Sequence, residues 1–587
     1  MAHPDSPRRV WHHPDYSAVT LGAGLLRTHH DINHRFLMAR PLDGLLYPFQ
    51  DAAGLQPDAP GERCFGVGYG EFCGAWIMAA CDVCQTTGDR RLRAKLDAVL
   101  DGLVACARTT PGGHLPVSSR TYPAYYTRGV MLHALRSAAQ LTGRQDVGSV
   151  LAASAEDVVS SLRAMGLDQA RRVVRGEYPW WDEGNGLCEI LSLLGRADAL
   201  DMVTGRFLRD PLARNEDVLQ YRHANAASML IMGWPAAYEL TGDRAYIHAF
   251  FNSWRMILAR TYVTGGSCDE YGDGDWEAWP EANNVRFIAK TQETCTAFHW
   301  LRHNDVMLSY TGEAQYGDMI ERVLYNRLLT SHQSNGAFRY WTDMRDYARF
   351  EDFTGRFTCC SNSGVRVMAM LPRYIYYLDD SGPIVSLYTD STLRFTAGGA
   401  VVTLAQTTAY PGDGRVQIKI SCPQRCQFNL RLRVPGWVSA PVTWHLNDRS
   451  LPAPAAPATY ASLARTWNDG DVLSVEFPMT LHAERARNST GHYSFLCGPA
   501  VLAAVGRRPF LQLVGDPARP DRWLKALESS PLHFEPTGQW TSFTFKPFYT
   551  VGDDEMYNLH FALSDSYPLG TRLRATDDGL CFSWPDA

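Results

Sequence analysis

Long apolar runs are missing from this chain of 587 residues. A bilayer span needs about 20 consecutive apolar residues, whereas the stretch 19–26 is broken by Gly22 and Gly24 and soon followed by His29, His30 and Asp31. Residues 1–9 lead into no hydrophobic segment of signal-peptide length. No membrane partner and a cytoplasmic location are the expectations. A dominant charge is missing too: 56 Lys and Arg stand against 62 Asp and Glu, for a net charge of −6 and a pI near 6.3. Nucleic acids and anionic membranes select basic patches, so no nucleic-acid partner is expected either. Regular cysteine spacing is the third absence. The 14 cysteines follow no disulfide framework and no zinc-finger repeat, which suits reduced thiols.

One cysteine pair stands out. Cys359 and Cys360 are adjacent, and neighbouring cysteines rarely bond to each other because the small ring distorts the peptide. Upstream, Glu293 and Cys295 add a carboxylate and a third thiol. Glu293, Cys295, Cys359 and Cys360 are together the donor types that a tetrahedral zinc ion accepts. The bland alternative is that free cysteines serve as small buried hydrophobes.

The surrounding segments settle on a family. Glu293-Thr294-Cys295, residues 320–327 (IERVLYNR), 357–364 around the cysteine pair and Tyr374-Ile375-Tyr376 occur in one order, preceded by His223-Ala224-Asn225, residues 238–243 (YELTGD) and 260–266 (RTYVTGG). In this the chain resembles the β-L-arabinofuranosidase families of glycoside hydrolases, families 127 and 146, over roughly residues 20–505. The resemblance implies a retaining, exo-acting glycoside hydrolase in which a zinc-bound thiolate attacks the sugar. By position that nucleophile is Cys359, with Glu293, Cys295 and Cys360 completing the metal set. The implied acid/base lies 16 residues before the metal-binding glutamate, at Glu277, flanked by Trp276 and Trp279. Glu270, Glu281 and Asp275 compete with it in the same acidic loop. His223 and Asn225 match a sugar-binding motif of the relatives, and Glu189 falls at an acidic position after a Gly-rich turn. Trp181, Tyr340 and Trp341 are candidates to stack on a sugar ring.

The first two-thirds of the chain repeats a theme. A helical stretch ends in Thr-Gly or a variant, and another helix follows, at Gly88, Gly143, Gly195, Gly242 and Gly312. Successive glycines lie 55, 52, 47 and 70 residues apart, each interval long enough for a helical hairpin and a loop. Such hairpins build either an α-solenoid or an (α/α)6 barrel, and long aromatic loops favour the barrel. After Tyr377 the pattern changes to short alternating runs such as 416–420 and 428–434, an antiparallel β-sandwich signature. The expected division is a barrel over 1–377 with a short N-terminal β segment, a sandwich over 378–504, and a β-rich extension over 505–587.

Two cysteine pairs read as packing: Cys81 and Cys84 lie within a helical stretch, and Cys422 and Cys426 flank a strand turn. The chain also departs from its relatives. They carry a Pro-Pro-Asn or Gly-Thr-Gly type turn after the cysteine pair, where this chain has Ser361-Asn362-Ser363-Gly364. Their His-Lys dipeptide is absent near Arg128, and their Thr-Gln after the His-Ala-Asn motif is Ala226-Ala227 here. These changes suggest a sugar pocket rewritten around an intact metal site, with Arg128 as a candidate partner for an anionic or deoxy sugar. A small carbohydrate or glycoconjugate is the expected substrate, and a homodimer is compatible with the sequence. Two rival readings remain: a metal-independent sugar epimerase or lyase on the same toroid, and a non-catalytic carbohydrate-binding protein with a structural zinc.

Overall fold

The computed structural model describes residues 7–65, 69–118, 124–168, 170–171, 186–271, 276–351, 357–452, 455–488, 491–506, 512–528, 530–537, 543–564, 572–576 and 579–583. Among these, helices Glu71–Thr87, Ala124–Thr142, Leu187–Leu193, Ala224–Thr241, Thr294–Thr311 and Cys359–Ala369 form a closed ring, each packed on the next and the last on the first. The long inner helices are buried nearly all round, as Phe72 to Ala80 and Ala224 to Ser228 show. Outer helices are amphipathic. Arg90–Ala107 buries Leu92, Leu96, Val99, Leu100 and Leu103 on one stripe and leaves its other face to water. Each outer helix returns the chain, so all six inner helices run the same way and begin at the same mouth. No described helix is long and apolar enough to cross a membrane.

The Thr-Gly joints have a shared mechanism. Gly88, Gly143, Gly195, Gly242 and Gly312 all adopt positive φ, between 66° and 75°, a conformation in which a side chain is strained. Thr87, Thr142, Thr241 and Thr311 return their hydroxyls to the carbonyl four residues back, at 2.6–2.9 Å. The same oxygens accept the amides of Asp89, Arg144, Asp243 and Glu313 at 3.2 Å. Asp89 and Asp243 then cap the outer helices that follow.

The sandwich pairs a seven-stranded sheet with a four-stranded one. Strand Val19–Leu21 joins the larger sheet against Ser391–Ala397. Alternation is plain in Arg415–Ser421, where Val416, Ile418 and Ile420 are buried and the residues between them are not. A third sheet begins at Leu481–Arg485 and includes Ala500–Val505, so the division expected at 504/505 falls inside a strand. That strand could not be split by composition because both of its faces are apolar. Leu502 and Ala504 pack with Phe495, Phe545 and Phe561. Val501 and Ala503 face the other way, onto Tyr262, Val285, Met344 and Ala348 from the barrel loops.

Residues 320–327 knit these parts together. Glu321 accepts from Arg433 at 2.5 Å, from Tyr410 and from the Trp437 indole, all from the sandwich. Arg322 forms a two-armed pair with Glu484 of the third sheet at 2.6 Å. The Asn326 amide donates to Pro499 O and accepts from Val501 N.

Candidate active site

The mouth of the barrel is where inner helices start, and a helix start presents unpaired N–H groups and a partial positive charge. Glu293 is the N-cap of Thr294–Thr311, and Cys295 lies in its first turn. Cys359 and Cys360 open Cys359–Ala369, whose N-cap Thr358 forms a capping box with Ser361. His223 is the N-cap of Ala224–Thr241. The sequence thus places its anionic donors where helix ends favour anions.

Glu293, Cys295, Cys359 and Cys360 each bring one donor atom, and all four atoms lie within 4.8 Å of one another. Cys295 Sγ is 3.6 Å from Cys360 Sγ, and Glu293 Oε1 is 3.5 Å from Cys359 Sγ and 3.7 Å from Cys360 Sγ. Tetrahedral ligation with metal–sulfur bonds of ~2.3 Å and metal–oxygen bonds of ~2.1 Å separates ligand atoms by roughly 3.6–3.8 Å. The donor set therefore fits a metal ion in both chemistry and spacing. Thr296 donates to Glu293 Oε2 at 2.9 Å, which leaves Oε1 as the oxygen turned to the thiols. The Cys359 thiol is held well below its ordinary pKa, first by hydrogen bonds from Cys295 and Cys360, then by Tyr340 and Glu293, against the effect of burial. Burial and the neighbouring Cys359 charge push Glu293 up. Cys359 also differs in access: Glu293, Cys295 and Cys360 are buried, while Cys359 keeps partial exposure.

Glu277 lies on the short strand Trp276–Ala278, paired with Asp269–Tyr271. Its Oε2 accepts from His223 Nε2 at 2.9 Å, and its Oε1 accepts from the Tyr340 hydroxyl. That hydroxyl is also 3.4 Å from Cys359 Sγ. Two hydrogen bonds end to end cap the separation of Glu277 from Cys359 at about 6 Å. Of the competing acids, Glu270 is paired with Lys290 at 2.6 Å, Glu281 is exposed, and Asp275 lies outside the described residues.

The other expected residues divide. Asn225 is buried, and its Oδ1 finds no partner among the described residues. Glu189 lies in the first turn of its inner helix, but its carboxylate is engaged by Arg302 at 2.5 Å and by His133 at 3.8 Å. Trp341 leans on Tyr340 with ring centroids 5.1 Å apart. Trp181 lies outside the described residues. Arg128 is a correction: it pairs with Asp157 of the outer helix at 3.0 Å and stacks on Tyr125. Tyr126 faces inward instead and accepts from Asn362 at 3.4 Å. Residues two apart on a helix point to nearly opposite sides. Cys81 and Cys84 are buried in their helix, and burial raises both thiols, Cys84 to about 12, as packing cysteines require.

Two participants escaped sequence reading. Cys268 holds a positive φ of 76° and accepts the Glu293 amide on its sulfur at 3.4 Å. Arg327, fully buried, donates to Gln292 O at 2.6 Å, Thr294 Oγ1 at 2.9 Å and Tyr340 O at 3.2 Å. Arg327 had one sequence signal, membership of the collinear segment 320–327, and Cys268 had none.

The family profile described as the GH127 catalytic domain of β-L-arabinofuranosidase matches residues 18–373, and that of the GH127 middle domain matches 383–479. A non-reducing end β-L-arabinofuranosidase of Bifidobacterium longum subsp. longum is 24% identical over 310 residues, covering 48% of this chain and 45% of that protein. The chain thus matches under half the length of that relative. The solved GH127 β-L-arabinofuranosidase of Geobacillus stearothermophilus T6 superposes with a TM-score of 0.73 at 19% identity, covering 93% of this chain and 100% of that one. A solved GH127 β-arabinofuranosidase gives 0.73 at 20% identity, covering 95% and 98%. These structures share the fold of barrel, sandwich and third sheet.

Proposed function

The chain belongs to the GH127 β-L-arabinofuranosidase family of glycoside hydrolases, and from that premise we propose that it is a zinc-dependent retaining enzyme acting on non-reducing terminal β-L-arabinofuranosides. One observation carries the reading: Cys359, the one half-buried residue of a buried four-donor cluster, shares a tyrosine hydroxyl with a carboxyl held by histidine. Zinc bound by Glu293, Cys295, Cys359 and Cys360 would supply the charge that keeps the cysteines as thiolates at neutral pH.

The Cys359 thiolate then attacks the anomeric carbon as its bond to the leaving oxygen breaks. Glu277, protonated, gives its proton to that oxygen. A thioglycosyl enzyme results. Glu277, now a carboxylate, takes a proton from water, the water oxygen bonds to the anomeric carbon, and Cys359 departs as thiolate. Retaining pairs sit roughly 5 Å apart, which agrees with the limit set through Tyr340. His223 orients Glu277, and Asn225 Oδ1, without a partner among the described residues, supplies an acceptor for a sugar hydroxyl.

The test is turnover of an aryl β-L-arabinofuranoside, with the configuration of the first-formed sugar followed by NMR. Retention of configuration is expected, with activity abolished in Cys359→Ser. A Cys359→Ser protein as active as the parent, or turnover by protein free of metal, would overturn the proposal. The rival epimerase or lyase would leave no hydrolysed sugar, and a binding protein would leave the glycoside intact.

A further inference from the structure

Arg327 stands in an unusual place for a charge. It lies in the helical turn Leu324–Leu328, is fully buried, and among the described residues no carboxylate comes within ion-pair distance of its guanidinium. All three of its recorded hydrogen bonds go to neutral oxygens, Gln292 O, Thr294 Oγ1 and Tyr340 O. A buried cation with only neutral partners is costly unless an anionic centre lies close by. The titratable groups near it are Cys360, Cys268, Tyr557 and Glu293, all of them raised by burial and so neutral without an ion to hold their charge, and burial brings its own pKa down to about 10.

The metal reading supplies the missing balance. Three thiolates and one carboxylate around a divalent ion leave a centre carrying two net negative charges. We infer that Arg327 is the positioning residue and counter-cation of this centre, clamping the Glu293–Cys295 segment and the Tyr340 loop while offsetting the charge of the thiolates. The inference rests on the proposed zinc site. It adds a reason for the residues of 320–327: the segment that joins barrel to sandwich through Glu321 reaches, at Arg327, the backbone beside the proposed metal ligands.

Both roles are separable, because lysine keeps the charge but not the forked donors, and glutamine keeps a donor but not the charge. Arg327→Lys and Arg327→Gln are prepared as holoproteins, stripped, checked for fold by circular dichroism, and titrated with zinc against a chelating indicator. Arg327→Gln is expected to bind zinc at least 10-fold more weakly than the parent, with Arg327→Lys within about 3-fold. Cobalt loaded in place of zinc should show a changed sulfur-to-metal absorption band in the glutamine variant. Equal weakening in both variants, or parental affinity in a folded Arg327→Gln, overturns the counter-cation role. Should Arg327→Gln not fold, the lysine variant decides, with a 10-fold loss against the inference and near-parental affinity for it. A parent chain that binds no zinc would instead sink the metal reading itself.

Discussion

His223 donates from Nε2 to Glu277 at 2.9 Å while its Nδ1 accepts the amide of Ala226 at 3.2 Å. Because Nδ1 is occupied as an acceptor, the ring proton sits on Nε2 and points at the carboxylate. The N-cap of one inner helix therefore fixes both the tautomer of the histidine and the direction of the carboxyl it holds.

Removing the carboxyl should stop turnover. Glu277→Gln is expected to lose about 10²–10⁴-fold in kcat/KM on an aryl β-L-arabinofuranoside. Azide should partly restore Glu277→Ala by attacking the glycosyl enzyme in place of activated water. Azide should not restore Cys359→Ser. Parental rates in Glu277→Gln would move the acid/base role to Glu270 or Glu281.

Tyr340→Phe deletes the hydroxyl shared by Glu277 and Cys359 but spares the metal ligands. Its kcat is expected to fall about 10–100-fold, the range in which loss of one positioned donor falls, with zinc content unchanged. Loss of metal along with activity would show that the hydroxyl is part of the ligand set's support.

Metal content is expected at about one zinc per chain in protein purified without added metal, as elemental analysis would measure. Cys295→Ala and Cys360→Ala should each lose it. A chelator should lower the melting temperature, since the ligands join two inner helices. Stoichiometric absence of zinc in folded, active protein contradicts this.

Much of this was legible before any coordinates. The Thr-Gly joints marked the ends of the inner helices because a left-handed cap leaves a strong local signature, and the Glu/Cys cluster was legible because three thiols and a carboxylate share a chemistry. Helical phase was not. Arg128 read as a pocket residue, yet it lies two positions from Tyr126 and so on the other side of its helix. Arg128→Ala should accordingly leave substrate preference within twofold and cost below about 1 kcal/mol, the ordinary worth of a partly exposed pair. A switch in preference measured across furanosides would restore the residue to the pocket. Tyr340 read as a stacking ring, because sequence does not say which end of a tyrosine faces a carboxylate. Cys268 and Arg327 were hard to read for a related reason: their side chains mostly meet backbone groups that any residue carries.

Acid should loosen the third sheet. Burial raises the Glu484 carboxyl, but the Arg322 guanidinium outweighs it and, with His482, holds the group below its ordinary value of 4.5. A depressed carboxyl contributes stability in full above that value, and the contribution fades as pH falls through and below it. The urea midpoint of the parent is expected to drop between about pH 5 and pH 3 more steeply than that of Glu484→Gln. Parallel curves would remove the pair from the account.

The ring closes on the helix Cys359–Ala369, which packs on both Thr294–Thr311 and Glu71–Thr87. That closing stave also carries two of the four donors. During synthesis, the first five inner helices can leave the ribosome and assemble while half of the metal set is still untranslated. Under the proposed metal reading, ion capture follows shutting of the toroid, so uptake of metal by a nascent chain would time-stamp the moment the barrel is sealed. Under the same reading, a cell short of zinc would accumulate chains whose last seam stays unlocked, a state that proteases would find at that seam first.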